Sequence, residues 1–256
     1  MAKLEIHQFP CLSDNYGVLI RDPEHGATAA IDAPDAKAVA AALADKGWRL
    51  THILTTHHHG DHTAGNLPLK AETGCTILGP RAEAAKIPGL DTPLGDGDTF
   101  RFGAHEVRVL DTPGHTAGHI SYWLPADKLA FVGDTLFAIG CGRVIEGNAQ
   151  MMWRSLQKLM ALPSETQVYC GHEYTQANAK FALTIEPDNE ALQQRAKEVA
   201  RLRAAGQPTL PTRMGEELAT NPFLRPHVAS IQKRLGLEGK PEWQIFGEIR
   251  ERKNRS

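Results

Sequence analysis

The residues with the clearest chemical potential stand together in one short segment, which reads Thr-His-His-His-Gly-Asp-His over residues 56–62. Imidazole and carboxylate groups are the ligands that zinc, iron and manganese take in proteins. A regular helix or strand cannot turn so many neighbouring side chains toward one ion, whereas a loop that leaves a buried strand can serve two adjacent ions. The pattern His-x-His-x-Asp-His therefore predicts a metal site on a loop.

Three later positions extend this set of residues. His115 stands on a glycine-rich turn, Asp134 follows an apolar strand at residues 129–132, and His172 follows another at residues 168–170. Each of the three, taken alone, is equally typical of turn chemistry. Taken together they have the form of a site built from loops at strand ends, along one edge of a sheet sandwich.

The elements that must position these residues change in kind along the chain. Short apolar or alternating segments predict strands over residues 1–7, 18–20, 29–31, 52–54, 75–78, 106–110, 119–124, 129–132 and 168–170. Helices are predicted over residues 35–46, 151–162, 189–205, 227–235 and 242–252 from their apolar spacing and end signals. We expect an α/β body followed by a small helical appendage, with a boundary near residue 172.

Composition narrows the classes of function. The chain of 256 residues has a formal net charge of −2, which gives no reason to expect nucleic acid as a partner. Its four cysteines form no Cys-x-x-Cys pair, so zinc-finger and thioredoxin functions have no support and the thiols fit a reducing cytosol. Residues 1–7 lack the apolar core of a signal peptide, and no segment has the length and apolarity of a membrane span. We expect a cytoplasmic protein without a membrane partner.

Four motifs, in chain order, carry a family resemblance. Thr-His-His-His-Gly-Asp-His, Thr-Pro-Gly-His-Thr-x-Gly-His, Val-Gly-Asp-Thr and Cys-Gly-His-Glu-Tyr-Thr resemble the metallo-β-lactamase superfamily. Within it, the motifs at residues 140–143, 171–175 and 220–225 resemble hydroxyacylglutathione hydrolases (glyoxalase II). The resemblance covers essentially the whole chain. It implies an α/β fold, with an αββα sandwich over residues 1–172 as the catalytic domain and a small C-terminal α-helical substrate-binding domain over residues 173–256.

The same resemblance implies a centre of two divalent metal ions, zinc by preference, although iron or manganese also suits such ligands. One ion is held by His57, His59 and His115, the second by Asp61, His62 and His172, and Asp134 bridges the two. Asp61 and Asp134 are the catalytic carboxylates of this set. Three further residues either orient the ligands through hydrogen bonds or simply pack beside the loops, namely Asp32, His58 and His119.

The nucleophile is predicted partly from what the sequence lacks. There is no Gly-x-Ser-x-Gly motif and no cysteine in an evidently reactive setting, so we expect hydroxide on the metals to attack. A thioester suits such a site, because its thiolate, with a pKa of about 8.5, leaves without a strong general acid. The resemblance implies hydrolysis of S-(2-hydroxyacyl)glutathione, above all S-D-lactoylglutathione, to D-lactate and glutathione, the second step of methylglyoxal detoxification.

Substrate contacts are also implied by the resemblance, which assigns glutathione to Arg143, Tyr174, Arg250 and Lys253. Arg250 and Lys253 lie in residues 225–256, a segment that contains eight Lys or Arg and only four Asp or Glu. Arg and Lys make charge-assisted hydrogen bonds with carboxylates, of which glutathione has two. The alternative is a solvated basic helix end. Ile145 is a departure, since the family often has an aromatic residue there, and its hydroxyl contact to the peptide is missing.

Other functions share parts of this pattern. A glutathione persulfide dioxygenase with one iron has a similar histidine set, and a metallo-lactonase has the metals without a reason for the basic tail. A non-catalytic, metal-stabilised binding module is disfavoured, because seven ligands for two ions leave coordination positions open, which structural sites usually lack. A monomeric thioester hydrolase is the function that the sequence favours.

Overall fold

The computed structural model describes residues 3–256, and the chain divides into two compact units. The first unit contains the residues up to Asp111 together with Thr116–Gly133, and the second contains Thr112–His115 together with Asp134–Ser256. Among the described residues, no helix has both the length and the apolarity needed to cross a bilayer.

The first unit contains a six-stranded sheet, antiparallel through its first three strands and parallel from the third onward. Its spatial order follows the chain: β1 (Glu5–Cys11), β2 (Asn15–Asp22), β3 (Ala27–Ile31), β4 (His52–Leu54), β5 (Thr76–Pro80) and β6 (Thr92–Leu94). β3 is buried along its whole length, as its unbroken apolar run requires. The strand predicted over residues 1–7 begins at Glu5; Met1 and Ala2 lie outside the described residues.

Helices join the parallel strands of this sheet: α1 (Ala36–Lys46), α2 (Gly60–Thr63), α3 (Asn66–Thr73) and a 3-10 helix at Arg81–Lys86. α1 begins where the Asp35 carboxylate accepts a hydrogen bond of 2.8 Å from the N–H of Ala38. It ends at Gly47, whose φ of 64° is the left-handed conformation that glycine adopts at low cost. Val39 and Leu43 pack into the apolar cluster beneath the sheet. The helix predicted over residues 35–46 is confirmed.

Four antiparallel strands complete the first unit: β7 (Thr99–Phe102), β8 (His105–Asp111), β9 (Ile120–Leu124) and β10 (Leu129–Gly133). β9 starts beside the histidine segment, because the N–H of Ile120 donates a 2.9 Å hydrogen bond to the carbonyl oxygen of Thr56. The end of β4 and the start of β9 therefore meet, which brings His119, just before β9, beside His57, just after β4.

The second unit is mainly helical. It has a hairpin of β11 (Leu136–Phe137) and β12 (Gly140–Cys141), and it pairs β13 (Gln167–Cys170) with β14 (Thr212–Arg213). Its helices are α4 (Ala149–Met160), α5 (Thr175–Ile185), α6 (Glu190–Ala204), α7 (Met214–Thr220), α8 (Ala229–Leu235) and α9 (Glu242–Asn254), with a 3-10 turn at Pro222–Leu224. The four helices predicted here are confirmed as α4, α6, α8 and α9, while α5 and α7 lie outside those predictions.

Aromatic and aliphatic side chains hold this unit together. The Phe223 ring lies between Phe181, at 5.9 Å between ring centroids, and Phe246, at 6.3 Å. A second cluster packs Ile139 of the β11–β12 hairpin against Ala182 and neighbouring residues of α5 and α6. The predicted class, an α/β fold that ends in helices, is confirmed. The domain boundary at residue 172 stays a prediction.

Candidate metal centre

The histidine segment follows the end of β4 and leads into the short helix α2, so its side chains all belong to one short connection in the first unit. His57 and His62 are buried, with their ring centroids 4.1 Å apart. The Nε2 atom of His57 lies 3.1 Å from the Nδ1 atom of His59, and the Nε2 atom of His62 lies 3.6 Å from a carboxylate oxygen of Asp61. Four of the predicted ligands thus come together within this unit.

Asp32 orients two of these rings. Its Oδ2 atom accepts hydrogen bonds from Nδ1 of His62 at 2.8 Å and from the Thr56 hydroxyl at 2.9 Å, and its Oδ1 atom accepts the N–H of Thr56 at 2.7 Å. The Thr56 oxygen in turn lies 3.0 Å from Nδ1 of His57. With the protons on Nδ1, the Nε2 lone pairs of His57 and His62 are available to a metal. Of the three residues that the sequence left between orienting ligands and packing beside the loops, Asp32 holds the ring of the candidate ligand His62 by a hydrogen bond.

His58 and His119 have different surroundings. His58 faces the buried Glu83, which lies 2.9 Å from its Nδ1 atom and accepts its backbone N–H at 2.8 Å. The other oxygen of Glu83 accepts the N–H of Gly118 at 2.8 Å, so this carboxylate joins the two histidine-bearing loops. His119 stacks on His57, with ring centroids 4.9 Å apart. Both histidines therefore pack beside candidate ligands, and His58 is also tied to Glu83.

Two supporting residues were missed by the sequence reasoning. Besides Glu83, Asn15 at the start of β2 donates from its amide to a carboxylate oxygen of Asp61 and to its backbone carbonyl, each at 3.2 Å. Glu83 and Asn15 are single polar residues with no ligand motif around them, and their partners lie 25 and 46 positions away. No local sequence signal marks them.

The second unit brings together the remaining three predicted ligands. One carboxylate oxygen of Asp134 lies 3.4 Å from Nε2 of His115 and 3.3 Å from Nε2 of His172, and all three residues are buried. The Nδ1 atom of His115 lies 2.9 Å from the backbone oxygen of Arg143, which accepts its proton and leaves Nε2 facing Asp134. A Cβ on Gly142 would overlap the carbonyl oxygen of Asp134, so this close approach requires glycine.

These distances fit metal ligation. Donors bound at 2.0–2.2 Å in tetrahedral geometry lie about 3.3–3.6 Å from one another. The donor pairs within each unit are separated by 3.1–3.6 Å, and the second ring nitrogens of His62 and His115 are held by hydrogen bonds. Among the described residues, groups of histidines and carboxylates bring their donor atoms within 4.8 Å, close enough to share an ion. The donor set therefore suits divalent metal ions.

The four residues assigned to glutathione all belong to the second unit. The Tyr174 ring stacks on His172 at 4.8 Å and packs edge-on against Phe137 at 5.3 Å, while remaining 36% exposed. Arg143 is exposed, and its backbone oxygen accepts the Nδ1 proton of His115. Tyr174 and Arg143 are accessible to a ligand.

Arg250 and Lys253 of α9 differ in burial, although they lie only three positions apart. Arg250 is 6% exposed, donates a 2.8 Å hydrogen bond to the carbonyl oxygen of Cys141, and lies 5.2 Å from the centre of the Phe223 ring. Lys253 lies 5.4 Å from the Phe181 ring, and its pKa is lowered by partial burial and by the charge of Arg250. Part of the Arg250 guanidinium is thus used inside the protein.

The cysteines offer no competing nucleophile. All four are buried free thiols. Burial raises the pKa of Cys141 to about 11, against a smaller lowering by Arg250, and burial also raises the pKa of Cys170. Thiols of this kind are inert near neutral pH.

Comparison with known proteins agrees with this geometry. The sequence profile of the metallo-beta-lactamase superfamily matches residues 23–172, and that of the hydroxyacylglutathione hydrolase C-terminus matches residues 173–256. The hydroxyacylglutathione hydrolase of Brucella anthropi is 60% identical over 98% of this chain and 97% of its own length. That of Brucella ovis is 60% identical over 98% of each.

Solved structures extend the comparison to the fold. ETHE1 from Myxococcus xanthus is 29% identical, with a TM-score of 0.69 over 96% of this chain and 90% of its own. TTHA1623, solved in a di-iron-bound form, is 26% identical, with a TM-score of 0.58 over 82% of this chain and 95% of its own. The BLEG-1 B3 metallo-beta-lactamase, at 20% identity and a TM-score of 0.66 over 86% of this chain and 100% of its own, shares the fold.

The profile match over residues 23–172 places the chain in the metallo-β-lactamase superfamily, and its histidines and aspartates cluster within that region. Within it, the chain belongs to the hydroxyacylglutathione hydrolase family, which is the family that the motifs predict. Its class of reaction, thioester hydrolysis, is confirmed with the family.

Proposed function

We propose that the chain hydrolyses S-D-lactoylglutathione to D-lactate and glutathione, as the second step of methylglyoxal detoxification in the cytoplasm. The observation that carries this is the 60% identity to hydroxyacylglutathione hydrolases over 98% of the chain, including the C-terminal region that bears three of the four candidate glutathione contacts. The protein acts as a monomer on a free glutathione thioester, with neither nucleic acid nor membrane as a partner.

The proposed centre contains two divalent ions, zinc by preference and iron or manganese as alternatives. His57, His59 and His115 would hold one ion, Asp61, His62 and His172 would hold the other, and Asp134 would contribute to both. When bound, two such cations polarise a carbonyl and lower the pKa of water. The donor spacings within each unit and the histidine tautomers support this assignment.

The protein's own residues prepare the site for this chemistry. Asp32 holds the proton of His62 on Nδ1, and the backbone oxygen of Arg143 does the same for His115, so that both rings direct Nε2 inward. Such fixed orientation reduces the reorganisation that the reaction requires. Asn15 donates to the Asp61 carboxylate, which fixes a ligand on the loop.

Substrate recognition is assigned to the second unit. Arg143 and Lys253 provide positive charge for the two carboxylates of glutathione. Tyr174 offers an exposed ring edge and hydroxyl beside His172. Arg250 donates one hydrogen bond to the carbonyl oxygen of Cys141 and uses other N–H groups of its guanidinium to bind a glutathione carboxylate. The leaving thiolate needs no strong acid, since its pKa is about 8.5.

Two parallel assays test the proposal. Purified, metal-loaded protein is supplied with S-D-lactoylglutathione while thioester loss is followed, and with glutathione persulfide while oxygen uptake is followed. We expect thioester hydrolysis with kcat/KM on the order of 10⁴ M⁻¹s⁻¹ or more, and no oxygen uptake. Oxygen uptake without thioester hydrolysis would establish the persulfide dioxygenase instead. Hydrolysis of lactones alone would establish the lactonase.

A further inference from the structure

The tail motif over residues 220–225 reaches into the β11–β12 hairpin through its asparagine. The amide nitrogen of Asn221 donates to the carbonyl oxygen of Gly140 at 2.9 Å and to that of Phe137 at 3.3 Å. Gly140 and Phe137 face each other across the hairpin. One fully buried side chain therefore fixes both strands at the point where they turn.

Glu217 supplies a second anchor from the preceding turn of α7. Its Oε2 atom accepts hydrogen bonds of 2.9 Å from the N–H of Ile139 and from the amide of Asn221. Its Oε1 atom accepts from Arg195 and from the Thr212 hydroxyl, both at 2.6 Å. A buried carboxylate is costly unless it is paired, and Arg195 provides the pairing. Glu217 is thereby held in place with one oxygen directed at the turn.

The turn between the strands needs such anchors. Ile139 has a φ of 55°, a left-handed conformation that is rare for a β-branched residue. Asn178 donates to the carbonyl oxygen of Ala138 at 3.1 Å, and Arg250 donates to that of Cys141 at 2.8 Å. Side chains from α5, α7, α9 and the tail motif thus satisfy the buried backbone of the turn. A strained conformation persists only where its surroundings determine it, and such places cluster at functional sites.

The hairpin lies next to the candidate substrate-binding residues of its unit. Arg143 follows β12 by two positions, and the Phe137 ring packs against Tyr174 at 5.3 Å. On the upstream side, the Thr135 carbonyl oxygen accepts the N–H of Gly142 at 3.3 Å, and the Thr135 hydroxyl also donates to the carbonyl oxygen of Thr112 at 2.9 Å. The chain beside Asp134 therefore keeps an anchor outside the hairpin when the hairpin shifts, whereas the exposed side chains of Arg143 and Tyr174 shift with it.

We propose that Asn221, held by Glu217, is a positioning residue for glutathione binding, which it controls through the hairpin that carries Arg143 and supports Tyr174. This inference rests on the proposed function. Loss of the Asn221 anchor weakens the binding of glutathione and of its thioester, while the rate at saturating substrate is nearly unchanged.

The test is the Asn221→Ser variant. Serine still accepts the N–H of Phe223, as the Asn221 oxygen does at 3.0 Å, but it is too short to reach both hairpin carbonyls. We expect the Kd for glutathione, measured by calorimetry, and the KM for S-D-lactoylglutathione to rise about tenfold, with kcat and bound metal within about twofold of wild type.

Asn189→Ala is the matched control. Asn189 caps α6 by accepting the N–H of Leu192, and its amide donates to the carbonyl oxygen of Ala219, so this variant loses a helix cap and a bond to α7 without touching the hairpin. It should lower the melting temperature and leave Kd and KM unchanged. If Asn221→Ser behaves in the same way as this control, Asn221 is merely structural and the inference is wrong.

Two further outcomes are separable. If Asn221→Ser does not fold, the variant Glu217→Gln is used instead. The glutamine amide has one acceptor oxygen, so it cannot accept from both Arg195 and the N–H of Ile139 as the carboxylate does. We expect KM to rise severalfold with kcat retained. An unchanged KM in Glu217→Gln overturns the inference. A wild-type protein that is folded and metal-loaded but inactive on the thioester refutes the proposed function itself, and the inference falls with it.

Discussion

The imidazole of His115 and the backbone of Arg143 are joined by a 2.9 Å hydrogen bond from Nδ1 to the carbonyl oxygen. A candidate metal ligand and a candidate substrate-binding residue are therefore linked through a main-chain atom, which every substitution at position 143 retains. The side chain of Arg143 is exposed to solvent and takes no part in this hydrogen bond.

Arg143→Ala should consequently remove the side chain that is a candidate for substrate binding while keeping the backbone oxygen that holds His115. We expect metal content to stay the same, because the carbonyl oxygen still holds His115, and KM for S-D-lactoylglutathione to rise about tenfold with the loss of a charged contact. Arg201→Ala is the control, since Arg201 is exposed and paired with Glu198 on α6. Steady-state kinetics and elemental analysis give the answer, and loss of metal in Arg143→Ala would contradict this separation.

Asp32→Asn tests the orientation of His62. The amide is a poorer acceptor than the carboxylate for the Nδ1 proton, and changes to such orienting residues typically cost about 10- to 100-fold in metal affinity or activity. Competition with a chelator measures the affinity. Asp35→Asn, three positions away, should have no effect, because asparagine caps α1 as well as aspartate does. Equal affinities in the two variants would remove Asp32 from the site.

Asp134→Ala tests the number of ions. If its carboxylate is shared, its removal should reduce bound metal from close to two ions per chain toward one and abolish nearly all activity. Elemental analysis of the purified variant measures the first effect. A fully active wild-type preparation with one ion per chain would rule out the dinuclear centre.

Cysteine chemistry should be absent near neutral pH. Because burial raises the pKa of Cys141 to about 11, the thiolate is a minor species at lower pH and increases only as the pH approaches that value. We expect Cys141→Ala and Cys170→Ala to retain turnover within about tenfold, roughly a 1.4 kcal/mol effect on the barrier. Mass spectrometry during turnover should show no lactoyl adduct, and such an adduct on either thiol would refute direct attack by water.

The two basic residues of α9 should respond differently to truncation. Lys253→Ala should raise KM by roughly 10-fold or more and leave the melting temperature nearly unchanged. Arg250→Ala should raise KM and also destabilise the fold by about 1–3 kcal/mol, since it leaves the buried carbonyl of Cys141 without its donor. Lys240→Ala, in the turn before α9, is the control for loss of one positive charge. Wild-type KM in the Lys253 variant would make that lysine an ordinary surface residue.

Local patterns in the sequence were sufficient for the ligand motifs and for the longer helices. The segment at residues 56–62 places its ligands within six positions, and α6 and α9 repeat their apolar residues at helical spacing. Such signals lie within one element and can be read directly. The two-residue strands β11 and β12 are too short to show any period, and they were not predicted.

Contacts between distant positions were beyond local patterns. Glu217 reaches Ile139 across 78 positions, and Arg250 reaches Cys141 across 109. Residues three positions apart in a helix share a face, as Arg250 and Lys253 do in α9, but only the fold shows that the Arg250 guanidinium is buried against a carbonyl group. The family resemblance assigned both residues to substrate, whereas their unequal burial depends on tertiary packing.

The contact between Gly142 and the Asp134 carbonyl has a consequence for engineering. A designer who wishes to widen the approach to Arg143 for bulkier thiols cannot vary position 142, because any added carbon collides with main-chain atoms that no side-chain redesign can displace. Ile145, half exposed and two residues beyond Arg143, is the position on this loop where new shapes can be introduced. A mutant library aimed at bulkier thiols should therefore vary position 145 and keep glycine at position 142.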